Sequence, residues 1–157
     1  ARLTLCNSVV TAAKSAAAYL PLDEVLKNAD VISVHLALSD QSKNLLNQEK
    51  LGLMKKSAYL INTARGAIVD EIALVKLLRE KAIAGAALDV YGEEPIAKNH
   101  PLTRLDNVVL TPHLGWPTDS GFEGFAENAV TNILDYLDGK LTRALNPEAL
   151  RHRRKTA

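Results

Sequence analysis

Residues Ala58-Tyr59-Leu60-Ile61-Asn62-Thr63-Ala64-Arg65-Gly66-Ala67-Ile68-Val69-Asp70 contain, in one run, the transition that decides the fold. Ala58 to Asn62 is short, apolar and closed by a polar pair, the form of a strand buried on both faces rather than of a helix. Asp70 then has the short acceptor side chain of a helix N-cap. Beyond it Leu74, Leu77, Leu78 and Lys81 recur at helical spacing, with Arg79 and Lys81 near the negative end of the dipole. A buried strand, a polar turn and an amphipathic helix follow one another within a few residues.

The same alternation extends in both directions. Downstream, Ala84–Leu88 and Asn107–Thr111 read as strands, separated by a proline-containing loop from Gly92 to Pro101. A long helix follows, in which Phe122, Phe125, Ala126, Ala129, Val130, Ile133, Leu134 and Leu137 form an apolar stripe, read as core or interface, with Gly139 as its stop. Upstream, Asn47 caps a short helix through Met54, and Val31–Leu36 is a β-branched, mostly apolar strand. Leu22–Asn28 places Leu22, Val25 and Leu26 on one helical face and is set off by Pro21. Ala18–Leu20 reads as a short strand, Val9–Ala17 as a helix, and Ala1–Cys6 as a strand that opens abruptly, as in a fragment. Strands alternating with helices imply right-handed βαβ units, hence an α/β, doubly wound parallel sheet.

Composition narrows the class of function. A chain of 157 residues with 47% hydrophobic and 24% charged residues suits one globular core, assigned to residues 1–150, followed by a basic, disordered tail at 151–157. The formal net charge of +1 provides no global field for nucleic acid or an anionic membrane, so neither is expected as a partner. A single cysteine, Cys6, forms no internal disulfide and reads as a packed residue. No apolar run approaches the ~20 residues needed to span a bilayer, and a cytoplasmic protein is expected.

In an open parallel sheet, ligands bind beyond the carboxyl ends of the strands. There the sequence places Asn62-Thr63-Ala64-Arg65-Gly66, then Asp89 with Glu93-Glu94-Pro95, then Pro112-His113-Leu114-Gly115-Trp116, and, after the earlier strand, Leu36 to Ser42. Arg65 offers a planar fork for a substrate carboxylate. His113 is suited to moving a proton near neutral pH, and Glu94 is the candidate to fix its tautomer. Together they suit redox chemistry on a small keto or hydroxy acid, with hydride from a nicotinamide because no side chain provides one. Singly, each has an ordinary alternative: a surface ion pair for Arg65, a satisfied polar residue for His113, loop decoration for the glutamates. His35, inside its strand, reads as a core residue or one supporting the site; His100 and His152 read as loop and tail residues.

Asn62 to Asp70, Leu88-Asp89-Val90-Tyr91-Gly92-Glu93-Glu94-Pro95 and Thr111 to Trp116, in this order and spacing, resemble the D-isomer-specific 2-hydroxyacid dehydrogenases, with likeness from about Leu22 to Lys140. The resemblance implies the C-terminal part of a Rossmann-like dinucleotide-binding domain. It also implies a homodimer working on a small 2-keto/2-hydroxy acid with NAD or NADP, with Arg65, Glu94 and His113 catalytic. It further implies that Thr63, Ala64 and Arg65 line the nicotinamide side and that Asp89 binds the nicotinamide amide. Leu36, Ala37, Leu38 and Ser42 would pass beside the cofactor, and His113, Gly115 and Trp116 would lie against its pocket. The chain departs from the family pattern in lacking the G-x-G-x-x-G turn, expected upstream of Ala1, and the separate substrate domain. Cys6-Asn7-Ser8 replaces the usual acidic residue for the ribose, which leaves NAD and NADP both open. The rival expectations are a non-catalytic NAD-sensing or corepressor-like module, and an inactive truncated fragment.

Overall fold

The computed structural model describes residues 4–5, 18–140 and 144–148. At its centre, β4 (Tyr59–Asn62) lies between β3 (Val31–Val34) and β5 (Gly85–Leu88), with β6 (Val108–Leu110) beyond β5. All three pairings are parallel. Because strand order follows chain order, right-handed crossovers carry every connection to the same face of this sheet. Burial agrees: Ile32, Val34, Leu60 and Leu88 face the core, whereas Val31, Tyr59 and Val109 on the other face are exposed.

The covered face is packed by α1 (Leu22–Asn28), α2 (Gln48–Leu51) and α3 (Glu71–Arg79). Leu26, Leu51, Leu74 and Leu78 are at most 1% exposed and join the strand residues in one cluster. Each such leucine contributes about 1.5–3 kcal/mol by leaving water. Both expected caps are made: the Asn47 side chain accepts from the Lys50 N–H and that of Asp70 from the Ala73 N–H, each at 3.0 Å. Near the chain start, β1 (Thr4–Leu5) pairs in parallel with β2 (Ala18–Tyr19) as a separate two-stranded sheet. The expected helix at Val9–Ala17, Cys6 and the tail at 151–157 lie outside the described residues.

The strand at Val31 ends earlier than expected. Pairing with β4 stops at Val34, so His35 lies beyond the sheet, exposed, with its Nε2 2.8 Å from Ser33 Oγ. His35 is therefore not a core residue. Alternation places it on the side of Val31 and Ser33, the uncovered one. The 3-10 turn at Pro101–Arg104, which seats Leu102 in the core, was not foreseen within the loop.

The chain divides into two units, residues 1–115 and 116–157. In the second, α4 (Asp119–Leu137) starts at Thr118, whose Oγ1 accepts from the Gly121 N–H at 3.1 Å. It stops where Gly139, at φ 74°, allows Lys140 N–H to reach the Asp135 carbonyl and Gly139 N–H to reach that of Tyr136. Trp116 meets Phe122 at a tilt and Phe125 edge-on within this unit. No residue of α4 is buried, so its apolar stripe is not core among the described residues.

Candidate active site

The carboxyl ends of β4, β5 and β6 deliver three turns to one edge of the sheet, and two buried polar side chains, Asn62 and Asp89, shape the first and the third. Asn62, 1% exposed, ends β4. Its Oδ1 accepts from Ala64 N–H and its Nδ2 donates to the Arg65 carbonyl, both at 3.0 Å, which shapes the Thr63-Ala64-Arg65 turn. Thr63 and Arg65 are exposed there. Among the described residues the Arg65 guanidinium bonds only the adjacent Ala64 carbonyl, at 2.6 Å, and the side chain is exposed.

Asp89, directly after β5, is also buried. Its Oδ1 accepts from the Thr111 hydroxyl and from Leu114 N–H at 2.8 Å, and its Oδ2 accepts from Gly115 N–H at 2.8 Å. Burial pushes this carboxyl up, but the three hydrogen bonds, aided by the charge of His113, outweigh it and hold it below the usual carboxylate range. These bonds bracket His113, whose backbone sits in the left-handed region at φ 56°. That conformation costs a non-glycine residue about 1–2 kcal/mol, and the carboxylate offsets it by fixing the two amides that follow. A Cβ on Gly115 would come within 3.0 Å of Asp89 Oδ2, so the turn closes tightly on the acid.

His113 Nδ1 lies 2.7 Å from Glu94 Oε2, and Glu94 Oε1 accepts from Tyr91 N–H at 3.0 Å. The bond to His113, then that from Tyr91, hold the Glu94 carboxyl below its ordinary range, with a smaller contribution from the charge of Arg65. The guanidinium thus lies within electrostatic reach of the pair. Glu93 is exposed and takes no part in this contact. Tyr91 is buried, and its hydroxyl reaches the Leu88 and Thr111 carbonyls at 3.1 and 2.8 Å, tying the ends of β5 and β6. Beside the pair, Tyr91, Pro95, Ile96 and Pro112 with Glu94 and His113 line a pocket of about 430 Å³.

After β3, Leu36 is half-buried against the core while Ala37 and Leu38 are exposed. Ser42 is turned inward: its hydroxyl donates to the Ala37 carbonyl at 2.7 Å and accepts from Ser39 N–H at 2.8 Å. Its oxygen shapes the turn. Trp116 belongs to the second unit. Among the described residues no group of three or more His, Cys, Asp or Glu is placed to hold a metal, and no helix is long and apolar enough to cross a membrane.

A parallel α/β sheet with its polar side chains gathered at the carboxyl ends of the strands defines a Rossmann-like, nucleotide-binding class of protein. Residues 3–115 match the family described as D-isomer specific 2-hydroxyacid dehydrogenase, NAD binding domain. The chain belongs to that family. It is 48% identical over 136 residues to a glyoxylate reductase of Thermofilum pendens, covering 86% of this chain and 40% of the relative. Among solved structures, the TT0316 protein of Thermus thermophilus superimposes with a TM-score of 0.83 at 43% identity, covering 88% of this chain and 44% of that one. The NAD complex of a D-isomer specific 2-hydroxyacid dehydrogenase from Lactobacillus delbrueckii gives 0.80 at 32% identity, covering 91% and 48%. The chain therefore spans about 40% of the length of the curated relative it matches.

Proposed function

We propose that this chain forms the catalytic face of an NAD(P)-dependent dehydrogenase that interconverts a small 2-keto acid and the corresponding D-2-hydroxy acid. Glyoxylate, named in the Thermofilum relative, is the first substrate to test. The observation that carries the reading is the 2.7 Å contact of His113 Nδ1 with Glu94 Oε2, with Nε2 bonded to nothing among the described residues.

The residues fit the nicotinamide end of a dinucleotide. Ala37 and Leu38 after β3, and Thr63 and Ala64 after β4, provide an open rim of small and apolar groups. Gly115 keeps backbone alone beside Asp89, where a Cβ would sit 3.0 Å from Oδ2. Gly115 is the remaining candidate to line this pocket, and Asp89 is the candidate acceptor for the carboxamide. No turn of the form G-x-G-x-x-G is present in these residues to hold the pyrophosphate.

When bound, the cofactor supplies or takes the hydride at the substrate carbon. Arg65 holds the substrate carboxylate through its free donors, aligning the carbonyl. In reduction, His113 as imidazolium gives its Nε2 proton to the carbonyl oxygen; in oxidation, the neutral ring takes the hydroxyl proton back. Glu94 accepts a hydrogen bond from Nδ1–H throughout, fixing ring orientation and favouring the cation.

Replacing His113 with Ala in the full-length protein is expected to leave NADH and NADPH binding, followed by fluorescence, unchanged and to lower turnover by about a hundredfold or more. Full turnover in that variant overturns the assignment. We infer also that the working protein is cytoplasmic and a homodimer, the dimer being supported by the apolar stripe that α4 leaves exposed and testable by light scattering on the full-length chain.

A further inference from the structure

Glu94 stands on an irregular segment, between β5 and the 3-10 turn at Pro101, yet its carboxylate must meet an imidazole to within a fraction of an ångström. What restrains that segment is a second carboxylate. Glu71 is the first residue of α3, a helix rooted in the core by Leu74 and Leu78. Its Oε2 accepts from Gly92 N–H at 3.1 Å, and its Oε1 lies 3.2 Å from His100 Nε2. One side chain on a rigid element therefore grips both ends of the loop that carries Glu94.

The protons fit this arrangement. His100 Nδ1 accepts from Leu102 N–H at 3.3 Å, so that nitrogen carries no hydrogen and the ring's proton sits on Nε2, directed at Glu71. Leu102 is 1% exposed, which anchors the far end of the clasp in the core. At the near end Gly92 follows Tyr91, whose own N–H is the second bond to Glu94. Both residues of the clasp are half-buried, His100 at 24% and Glu71 at 27% side-chain exposure, so water competes only partly for these bonds.

We propose that Glu71, oriented by His100, is a positioning residue for the Glu94–His113 pair, acting through the Gly92 and Tyr91 backbone. The inference rests on the reading of His113 as the acid/base. Opening the clasp restores conformational freedom to the loop, and a displacement of about 1 Å at a reacting group costs up to about a hundredfold in rate. Neither residue touches substrate or cofactor in this account.

The test uses the full-length protein with Glu71→Ala, Glu71→Gln and His100→Asn. Gln keeps the acceptor for Gly92 N–H but presents a second donor or a lost bond to His100, so it should retain part of the function. Glu71→Ala is expected to lower kcat about tenfold to a hundredfold with the KM for NADH unchanged, Glu71→Gln and His100→Asn less. Hydrogen exchange in a peptide covering residues 91–99 should quicken in the same order. If Glu71→Ala fails to fold, His100→Asn carries the test alone, because it leaves the start of α3 intact. Unchanged kcat and unchanged exchange in the folded variants overturn the proposal, as does a general loss of stability with kcat per folded molecule preserved. Loss of turnover in His113→Ala alongside unaffected Glu71 variants would sink this inference while sparing the catalytic one; full turnover in His113→Ala would sink the catalytic reading first.

Discussion

Asp89 shows how much of the site rests on one side chain. Its two oxygens are divided, Oδ1 to Thr111 and Leu114, Oδ2 to Gly115. An amide at this position offers one acceptor oxygen, so Asp89→Asn strands one of the two backbone donors. The expected loss is about 1–3 kcal/mol in urea unfolding. Because the folded-state carboxyl titrates below its ordinary value near 3.9, its contribution is complete above that pH and disappears only as pH falls through the lowered value. The Leu114 and Gly115 amides should therefore keep their hydrogen-exchange protection from neutral pH down to about pH 4 and lose it below. Loss of protection between about pH 5 and 7 would mean that the carboxylate does not hold this turn.

At the scale of elements, the site is a matter of how two loops abut. Gly66, directly after Arg65, packs so closely on the Tyr91–Gly92 peptide that a Cβ would overlap the Tyr91 carbonyl and come within 2.6 Å of Gly92 N. Backbone meets backbone here, with no flexible side-chain end to give way. Gly66→Ala should force the Arg65 turn away from the Glu94 loop and destabilise the protein by about 1–3 kcal/mol, read as a lowered urea midpoint. It should also raise the KM for the keto acid more than that for NADH, since Arg65 moves relative to Glu94. A variant with parental stability and kinetics would show that the two loops are not keyed at this point. The N-cap at Asp70 and the clasp at Glu71 serve the same purpose from adjacent positions: one starts α3, the other ties it to the loop.

Across the whole molecule, the described residues leave apolar surface uncovered. Val31, Tyr59 and Val109 are more than half exposed on the open face of the sheet, and Phe125, Ile133 and Leu137 are so on α4. Large apolar side chains left exposed in each unit favour association, which is the expected behaviour of these 157 residues alone. Light scattering across a concentration series should show mass rising with concentration, and Phe125→Glu combined with Ile133→Glu should reduce it. A constant monomer mass would mean that these side chains do not drive association.

The sequence alone determined the elements, because what defines an element is local. Asn47, Asp70 and Gly139 announce helix ends within a turn of themselves, and the apolar runs at Val31, Tyr59 and Val108 carry the signature of strands. The polar residues after each strand were legible for the same reason, since strand ends fix where a parallel sheet delivers them. Tertiary structure decided what those residues touch. That His35 falls outside the sheet follows from where β3 stops pairing with β4, and the 2.7 Å closeness of Glu94 to His113, already named as its partner in the sequence, follows from the path of the loop. Glu71 was not singled out in the sequence and His100 read as a loop residue; they lie 29 positions apart and meet only because the fold brings the start of α3 against the loop after β5. Periodicity reports a residue's own face, whereas a hydrogen bond across the fold depends on the positions of two elements at once.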